Sequence, residues 1–330
     1  MTDLSKKILV TREFPRAGLE LLEQAGFKLT LPGQDDPMTP EALIAAAQKH
    51  DALMCTLTEK LDAAFFAACS HLDLVSQFAV GFDNIDVAAA TAQGIPVGFT
   101  PEVMSDATAD IAFGLMIATA RKMFFLHKSI EKGEWGCFQP NRHLGMELTG
   151  KTLGIYGMGR IGYKMAQRCK GAYGMEILYT SRSPKPEMEA ELGARRVSFD
   201  ELLEKSDVVS AHCVLSQETR GIFNADAFRR MKNSAIFINT ARGPVHNEAD
   251  LIDALTTGTI WGAGLDVSDP EPMDPVNPLL SMETVCVLPH IGSATQDSRN
   301  GMSVRAAENI IAFYQTGKMP FVVNPEVLGG

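Results

Sequence analysis

Residues 153–162 read Leu-Gly-Ile-Tyr-Gly-Met-Gly-Arg-Ile-Gly, and the order of their glycines decides the fold. Gly157, Gly159 and Gly162 stand in G-x-G-x-x-G order, after an apolar run at 152–156 and before a helical stretch. A glycine pattern of this kind is weak on its own, because a turn chosen for packing produces it too. Between a strand and a helix it gains a physical purpose. It gives a tight turn, a backbone that can lie against a diphosphate, and a helix N-terminus that faces the anion. Outward from this motif, residues 176–180, 208–213, 235–239, 262–267 and 285–288 are further short apolar runs with helical stretches between them. They are apolar on consecutive positions, as strands covered on both faces require. Upstream, residues 7–11, 27–31, 52–57, 74–80 and 95–98 alternate with helical patterns in the same way. One of these helices, 40–50, opens on Thr39-Pro40-Glu41, an N-cap followed by proline at the first helical position. The alternation predicts an α/β chain of two Rossmann- or flavodoxin-like domains, each a parallel sheet with helices on its faces. A long helical stretch, 106–131, is expected to cross from one domain to the other. The last helical stretch, 299–314, is expected to return to the first.

The second strand of the glycine-rich unit ends Tyr179-Thr-Ser-Arg-Ser183. An acid usually stands there to hold an unmodified ribose 2′-hydroxyl, but no Asp or Glu occurs between Glu176 and Glu187. Arg182 flanked by Ser181 and Ser183 suits a 2′-phosphate instead, since a guanidinium offers paired N–H donors to an oxyanion. NADP(H) is therefore the expected cofactor. NAD(H) is the alternative, with Arg182 then a solvated loop charge.

Composition excludes several classes of function. The 330 residues carry a formal net charge of -10, which argues against a nucleic-acid partner but leaves room for a small anion at a local positive site. Six scattered cysteines without a C-x-x-C pair read as reduced thiols, several of them buried. The start, Met-Thr-Asp-Leu-Ser-Lys-Lys, has no apolar leader region after it, and the longest apolar stretch, 111–120, is too short to span a bilayer. A cytoplasmic protein with no membrane contact is expected. His50, His71, His127, His143 and His246 lack metal-ligand spacing, and His212 falls inside a strand, so no metal site is expected.

Three polar groups stand just past strands, where open α/β sheets place their ligands. They are Arg242 in Asn239-Thr-Ala-Arg-Gly243, Glu271 in Asp266-Val-Ser-Asp-Pro-Glu-Pro272, and His290 in Leu288-Pro-His-Ile-Gly-Ser-Ala294. Each alone is an ordinary loop residue. Together they match what reduction of a 2-keto acid needs besides hydride: a cation for the carboxylate, an acid for the carbonyl oxygen, and a group to tune that acid.

With Val80-Gly-Phe-Asp-Asn-Ile-Asp86 and residues 104–121, these motifs resemble the D-isomer-specific 2-hydroxyacid dehydrogenase family over nearly the whole chain. Residues 105–110, 179–182 and 289–295 are most similar to its glyoxylate/hydroxypyruvate reductase branch. The resemblance implies that His290 donates the proton, Glu271 hydrogen-bonds and tunes it, and Arg242 binds the substrate carboxylate. It places Val80, Gly81 and Ser293 at the substrate. It places Thr108, the run Gly157, Met158, Gly159, Arg160, Ile161 and Gly162, Ser181, Arg182, Ser183, Val214, Thr240, Asp266 and Gly292 at the cofactor. It further implies a substrate domain of residues 1–101 with 298–330, a cofactor domain of 102–297, a cleft between them, and a homodimer. The segment Trp135-Gly-Cys-Phe-Gln-Pro140 resembles a substrate-capping loop, although an aromatic anchoring the loop to the surface is an equal reading. Two departures stand out: relatives often have an aromatic where Ser268 follows Val267, and the 135–140 loop is not close enough to the capping loop of glyoxylate reductases to fix specificity. The chain end at 325–330 is read as lacking the regulatory extension of many phosphoglycerate dehydrogenases. D-lactate, phosphoglycerate and 2-ketogluconate enzymes are the alternatives within the family. A nicotinamide-sensing corepressor is the alternative from another class.

Overall fold

The computed structural model of the chain describes residues 5–31, 33 and 37–329, so the first four residues of the segment read for a leader lie outside the described residues. Two compact units emerge, Met1–Met104 with Ala294–Gly330, and Ser105–Ser293. Their junctions fall at 104/105 and 293/294, a few residues from the 101/102 and 297/298 expected.

In the first unit β1 (Lys7–Val10), α1 (Arg16–Gln24), β2 (Lys28–Thr30), α2 (Pro40–Ala47), β3 (Ala52–Cys55), α3 (Ala63–Ala68), β4 (Leu74–Gln77), α4 (Val87–Ala92) and β5 (Val97–Gly98) alternate. The strands form one sheet in the order β2-β1-β3-β4-β5, every neighbouring pair parallel. Successive side chains leave a strand on opposite faces, and the core divides accordingly. Ile8, Val10, Met54 and Leu74 pack on one side, while Leu9, Leu53, Cys55 and Val75 pack on the other. The expected cap of α2 is present, with Thr39 Oγ1 accepting from the Ala42 amide at 3.3 Å.

The second unit runs through α5 (Ser105–Ala120), α6 (Met123–Glu131), β6 (Thr152–Tyr156), α7 (Arg160–Tyr173), β7 (Glu176–Thr180), α8 (Pro186–Leu192), β8 (Arg195–Arg196), α9 (Phe199–Lys205), β9 (Val208–Ala211), α10 (Ala225–Arg230), β10 (Ile236–Asn239), α11 (Glu248–Thr256), β11 (Gly262–Leu265) and β12 (Val285–Val287). Its sheet is parallel throughout, in the order β12-β11-β10-β9-β6-β7-β8. The direction of strand addition reverses between β6 and β9, which opens a crevice at the carboxyl ends of those strands.

Two elements differ from the sequence reading. The single helix expected over 106–131 breaks into α5 and α6 at Lys122, whose φ of 56° is left-handed. The Lys122 amide donates to Thr119 O, and its Nζ reaches Glu283 Oε1 at 3.1 Å and lies over the Trp261 ring. Apolar spacing does not register one reversed dihedral that distant partners hold in place. The second difference is β8, two exposed arginines with no apolar signal, paired to β7 at the sheet edge. A charged, very short edge strand resists pairing with another chain, which is also why it does not read as a strand.

All six cysteines are free thiols, and Cys55, Cys69, Cys169 and Cys286 are buried. No helix among the described residues is long and apolar enough to cross a membrane.

The chain returns to the first unit through α12 (Gln296–Thr316), which packs on α1. The approach is close because Gly18 has no side chain: a Cβ there would lie 2.1 Å from Ser303 O. Ser303 Oγ in turn donates to Pro15 O at 2.8 Å. Gly18→Ala gains about 1 kcal/mol of helix propensity but forces two backbones apart, an overpacking cost of about 1–3 kcal/mol. Because the clashing atom is main chain, the upper end applies, and urea unfolding should show a net loss of about 1–2 kcal/mol. An unchanged or raised midpoint would show that the helices separate freely.

Candidate active site

The three glycines after β6 do different jobs. Gly157 has φ 101°, and a Cβ on it would come within 2.7 Å of the Cys213 amide. At Gly162 a Cβ would meet Gly157 O at 2.6 Å and Ile155 Cγ2 at 2.8 Å, so its absence lets α7 lie against β6. Gly159 caps α7, and a Cβ there would meet nothing within 4 Å. As a glycine it offers no capping side chain to the first turn, and the first amides of a helix are donors that an anion can use. Two glycines thus set the packing and the third leaves room for a diphosphate at a helix N-terminus, which fits a dinucleotide. Arg160 is exposed at the start of α7, and Ile161 packs against the core. Met158 is the exception among the expected contacts. Its side chain is buried in the core with Ile155 and Met165, so only its main chain can face a cofactor.

Past β7, Ser181 Oγ donates to Ser183 O at 2.6 Å and closes a tight turn around the exposed Arg182. Across the reversal point lie the ends of β9 and β10. Val214 is exposed there, and Thr240 is buried with its Oγ1 3.4 Å from His212 Nδ1. Ser210 Oγ meets the other nitrogen of His212 at 2.8 Å.

The turn after β10 is organised by Asn239. Its Oδ1 accepts from the Ala241 amide at 2.9 Å, and its Nδ2 donates to Arg242 O at 2.8 Å and His246 Nδ1 at 3.0 Å. Arg242 Nη1 donates to Ala241 O at 2.8 Å. The following Gly243 lies so close to the next loop that a Cβ would sit 1.9 Å from Ser268 O. Loop 240–245 and loop 266–272 are therefore packed backbone to backbone, which brings the segments of Arg242 and Glu271 together.

Asp266 is 1% exposed, and its two carboxylate oxygens accept from the Ile291 amide at 2.8 Å and the Gly292 amide at 2.7 Å. Burial pushes its pKa up, while these amides and the nearby His290 pull it down. Thr108 Oγ1 donates to Gly292 O at 3.1 Å from α5. A Cβ at 292 would lie 3.0 Å from Asp266 Oδ2 and 3.1 Å from Thr108 Cγ2, so both would have to give by a few tenths of an ångström. This clamp holds His290 at φ 53°, a left-handed conformation costing an ordinary residue about 1–2 kcal/mol. His290 Nδ1 lies 2.5 Å from Glu271 Oε1. A carboxylate has no proton to give, so Nδ1 carries the hydrogen, and Nε2 has no partner among the described residues. Ser293 is buried beside this turn.

The second unit thus gathers every expected site residue except Val80 and Gly81. Those two belong to the loop after β4 in the first unit, where Gln77 Nε2 donates to Gly81 O at 3.2 Å and to Asn84 Oδ1 at 2.6 Å. Trp135 and Phe138 are 77% and 89% exposed, so the reading of an aromatic anchored on its own domain surface does not hold. Asn239, His212 and His246 are structural parts of the site that no motif in the sequence marks. A polar residue closing an otherwise apolar run was the available signal for Asn239.

His246 is 2% exposed, and burial pushes its pKa down to about 4, as it pushes that of His212 down to about 3. Both fall below the ordinary 6.5, so from pH 6.5 down to about 4 the unfolded chain binds more protons than the folded one. The contribution of these two histidines is then fully present above pH 7 and is lost as pH drops, by up to about 1.4 kcal/mol per pH unit for each. For His246 the loss totals about 3 kcal/mol by pH 4. Urea unfolding at pH 7, 6 and 5 should show this decline, with a shallower slope in His246→Gln. A midpoint independent of pH over that range would refute it.

Residues 113–292 match the sequence profile described as D-isomer specific 2-hydroxyacid dehydrogenase, NAD binding domain. The chain is 42% identical over 326 residues to a glyoxylate reductase of Korarchaeum cryptofilum, covering 98% of each. Among solved structures it resembles a glyoxylate reductase from Paecilomyes thermophila, with TM-score 0.85 and 34% identity over 98% of this chain and 99% of that one. It also resembles the NADPH-dependent glyoxylate/hydroxypyruvate reductase of Sinorhizobium meliloti in complex with NADP and malonate, with TM-score 0.83 and 32% identity over 97% of both chains.

Proposed function

Because the chain belongs to the D-isomer specific 2-hydroxyacid dehydrogenase family, we propose that it reduces glyoxylate or hydroxypyruvate to the 2-hydroxy acid with NADP(H). The observation that carries the reading is the His290–Glu271 contact at 2.5 Å, with Nε2 left without a partner among the described residues, in the unit that also holds the glycine cradle and Arg242. The nicotinamide, when bound, supplies hydride to the carbonyl carbon. His290 holds the proton on Nε2 and delivers it to the carbonyl oxygen as charge develops there. Glu271 fixes the ring's orientation and sets a negative charge against Nδ1–H. Arg242 grips the substrate carboxylate and polarises the adjacent carbonyl. Asp266 and Thr108 act through the main chain, keeping His290 in its unusual backbone conformation.

Two supports bear on the finer choices. The names of the relatives above favour glyoxylate-type substrates over lactate or phosphoglycerate. The arginine at the end of β7, with no acid in that turn, favours NADP(H), the cofactor named for the Sinorhizobium meliloti structure. The stretch 130–144 carries the exposed apolar side chains Ile130, Trp135, Phe138 and Leu144, which suit burial against a second copy of the chain, and we assign them to a homodimer. Sedimentation should give twice the monomer mass, and a monomer in Trp135→Glu/Phe138→Glu; an unchanged mass in that variant would remove the assignment.

Oxidation of NADPH and NADH should be followed in parallel with glyoxylate, hydroxypyruvate, pyruvate and 2-ketogluconate. Fast NADPH turnover with either of the first two is expected. His290→Ala should lower kcat by about 10²- to 10⁴-fold while leaving the Kd for NADPH unchanged. Retained turnover in that variant would remove His290 as the acid. Failure of every keto acid would remove the enzymatic reading.

A further inference from the structure

We infer that Arg196, the unexpected edge-strand residue, is a second cationic ligand for the cofactor's 2′-phosphate beside Arg182; the inference rests on the NADP(H) reading above. In register, Arg196 lies opposite Tyr179, and its side chain runs forward along β7 to the turn just past the strand end. There Nη2 donates to Ser181 O at 2.8 Å and to Arg182 O at 3.1 Å. Its guanidinium is thus tied to the same two peptides that carry the proposed phosphate-binding residue.

Those two bonds occupy only one end of the group. The Nε–H and the Nη1 hydrogens have no partner among the described residues, and no carboxylate there lies within ion-pairing distance of Arg196 or Arg182. The nearby acids are engaged elsewhere. Glu201 takes Arg195 at 2.8 Å and Lys205 at 2.8 Å, and Glu189 accepts from the Tyr179 hydroxyl. A cap for two carbonyls needs only neutral N–H donors. Arg196 is bound to the backbone of the turn that bears Arg182, so an anion arriving there meets two cations with no ion-paired carboxylate among the described residues. A dianionic phosphate monoester on the ribose 2′ position is the anion expected at the end of the second strand of a Rossmann unit. Arg196 therefore serves twice: it positions the 181–183 turn through Nη2 and presents its remaining donors to the phosphate.

The test is calorimetric binding of adenosine 2′,5′-bisphosphate and of 5′-AMP to the full chain and to Arg182→Ala, Arg196→Ala and Arg196→Lys, with KM and kcat for NADPH and NADH alongside. Arg196→Ala should weaken the bisphosphate about tenfold and leave 5′-AMP within about twofold. KM for NADPH should rise in step with kcat unchanged, and Arg196→Lys should recover part of the loss. If Arg196→Ala weakens both nucleotides equally, the residue only supports the turn and the inference is overturned. It is also overturned, with the NADP(H) reading intact, if Arg182→Ala abolishes the preference for the bisphosphate and Arg196→Ala leaves it whole. A native protein that binds the bisphosphate no more tightly than 5′-AMP would overturn the NADP(H) reading and this inference together.

Discussion

The carboxylate of Asp266 accepts from two successive main-chain amides, those of Ile291 and Gly292, and the geometry of the proposed proton donor depends on that pair of bonds. Asp266 stands at the end of β11, and the amides belong to the turn after β12, its neighbour in the sheet. The bonds convert a sheet edge into a fixed platform. His290, one residue before the clamped amides, is held in a backbone conformation that it would not adopt freely. Its ring can then meet Glu271, on the loop after β11, with one nitrogen engaged and the other without a partner among the described residues. A buried carboxylate is costly unless its oxygens are satisfied, and here each of them is.

The same logic recurs along the carboxyl edge of the sheet. Asn239 closes β10 by satisfying one amide, one carbonyl and one histidine nitrogen, and so shapes the turn that bears Arg242. Gly243 then lets that turn rest on the backbone at Ser268. Polar groups with buried partners fix the loops, while Arg242, His290 and Glu271 keep some accessible surface. Rigid support beneath and partial exposure above is the arrangement a site needs if it is to hold its geometry and still receive a ligand.

Charge is distributed with similar economy. The chain is acidic as a whole, with a formal net charge of -10, yet Arg182 and Arg196, joined at the turn past β7, have no paired acid among the described residues. A local excess of positive charge inside an acidic protein selects a small anionic ligand without inviting polyanions. The N-terminus of α7 at Gly159 follows β6, the strand paired with β7, and is where the proposed cofactor's diphosphate would lie.

The sequence by itself determined the parallel α/β architecture, the glycine cradle and the membership of the strand-end loops. These are written in local patterns: runs apolar on consecutive positions, glycines at fixed offsets, and polar residues just past strands. The runs at 152–156 and 176–180 became β6 and β7 without a shift. Only the tertiary structure decided that α5 ends where Lys122 turns left-handed, because Thr119, Glu283 and Trp261 hold that single dihedral. It likewise decided that Met158 turns into the core, that Arg196 forms an edge strand, and that His246, buried, and His212, half-buried, are polar parts of the scaffold. The contact of His290 with Glu271 joins residues 19 apart through two loops that β11 and β12 bring side by side. Periodicity reports which face of an element is apolar. Hydrogen bonds between loops depend on directions and distances that exist only after the sheet has formed.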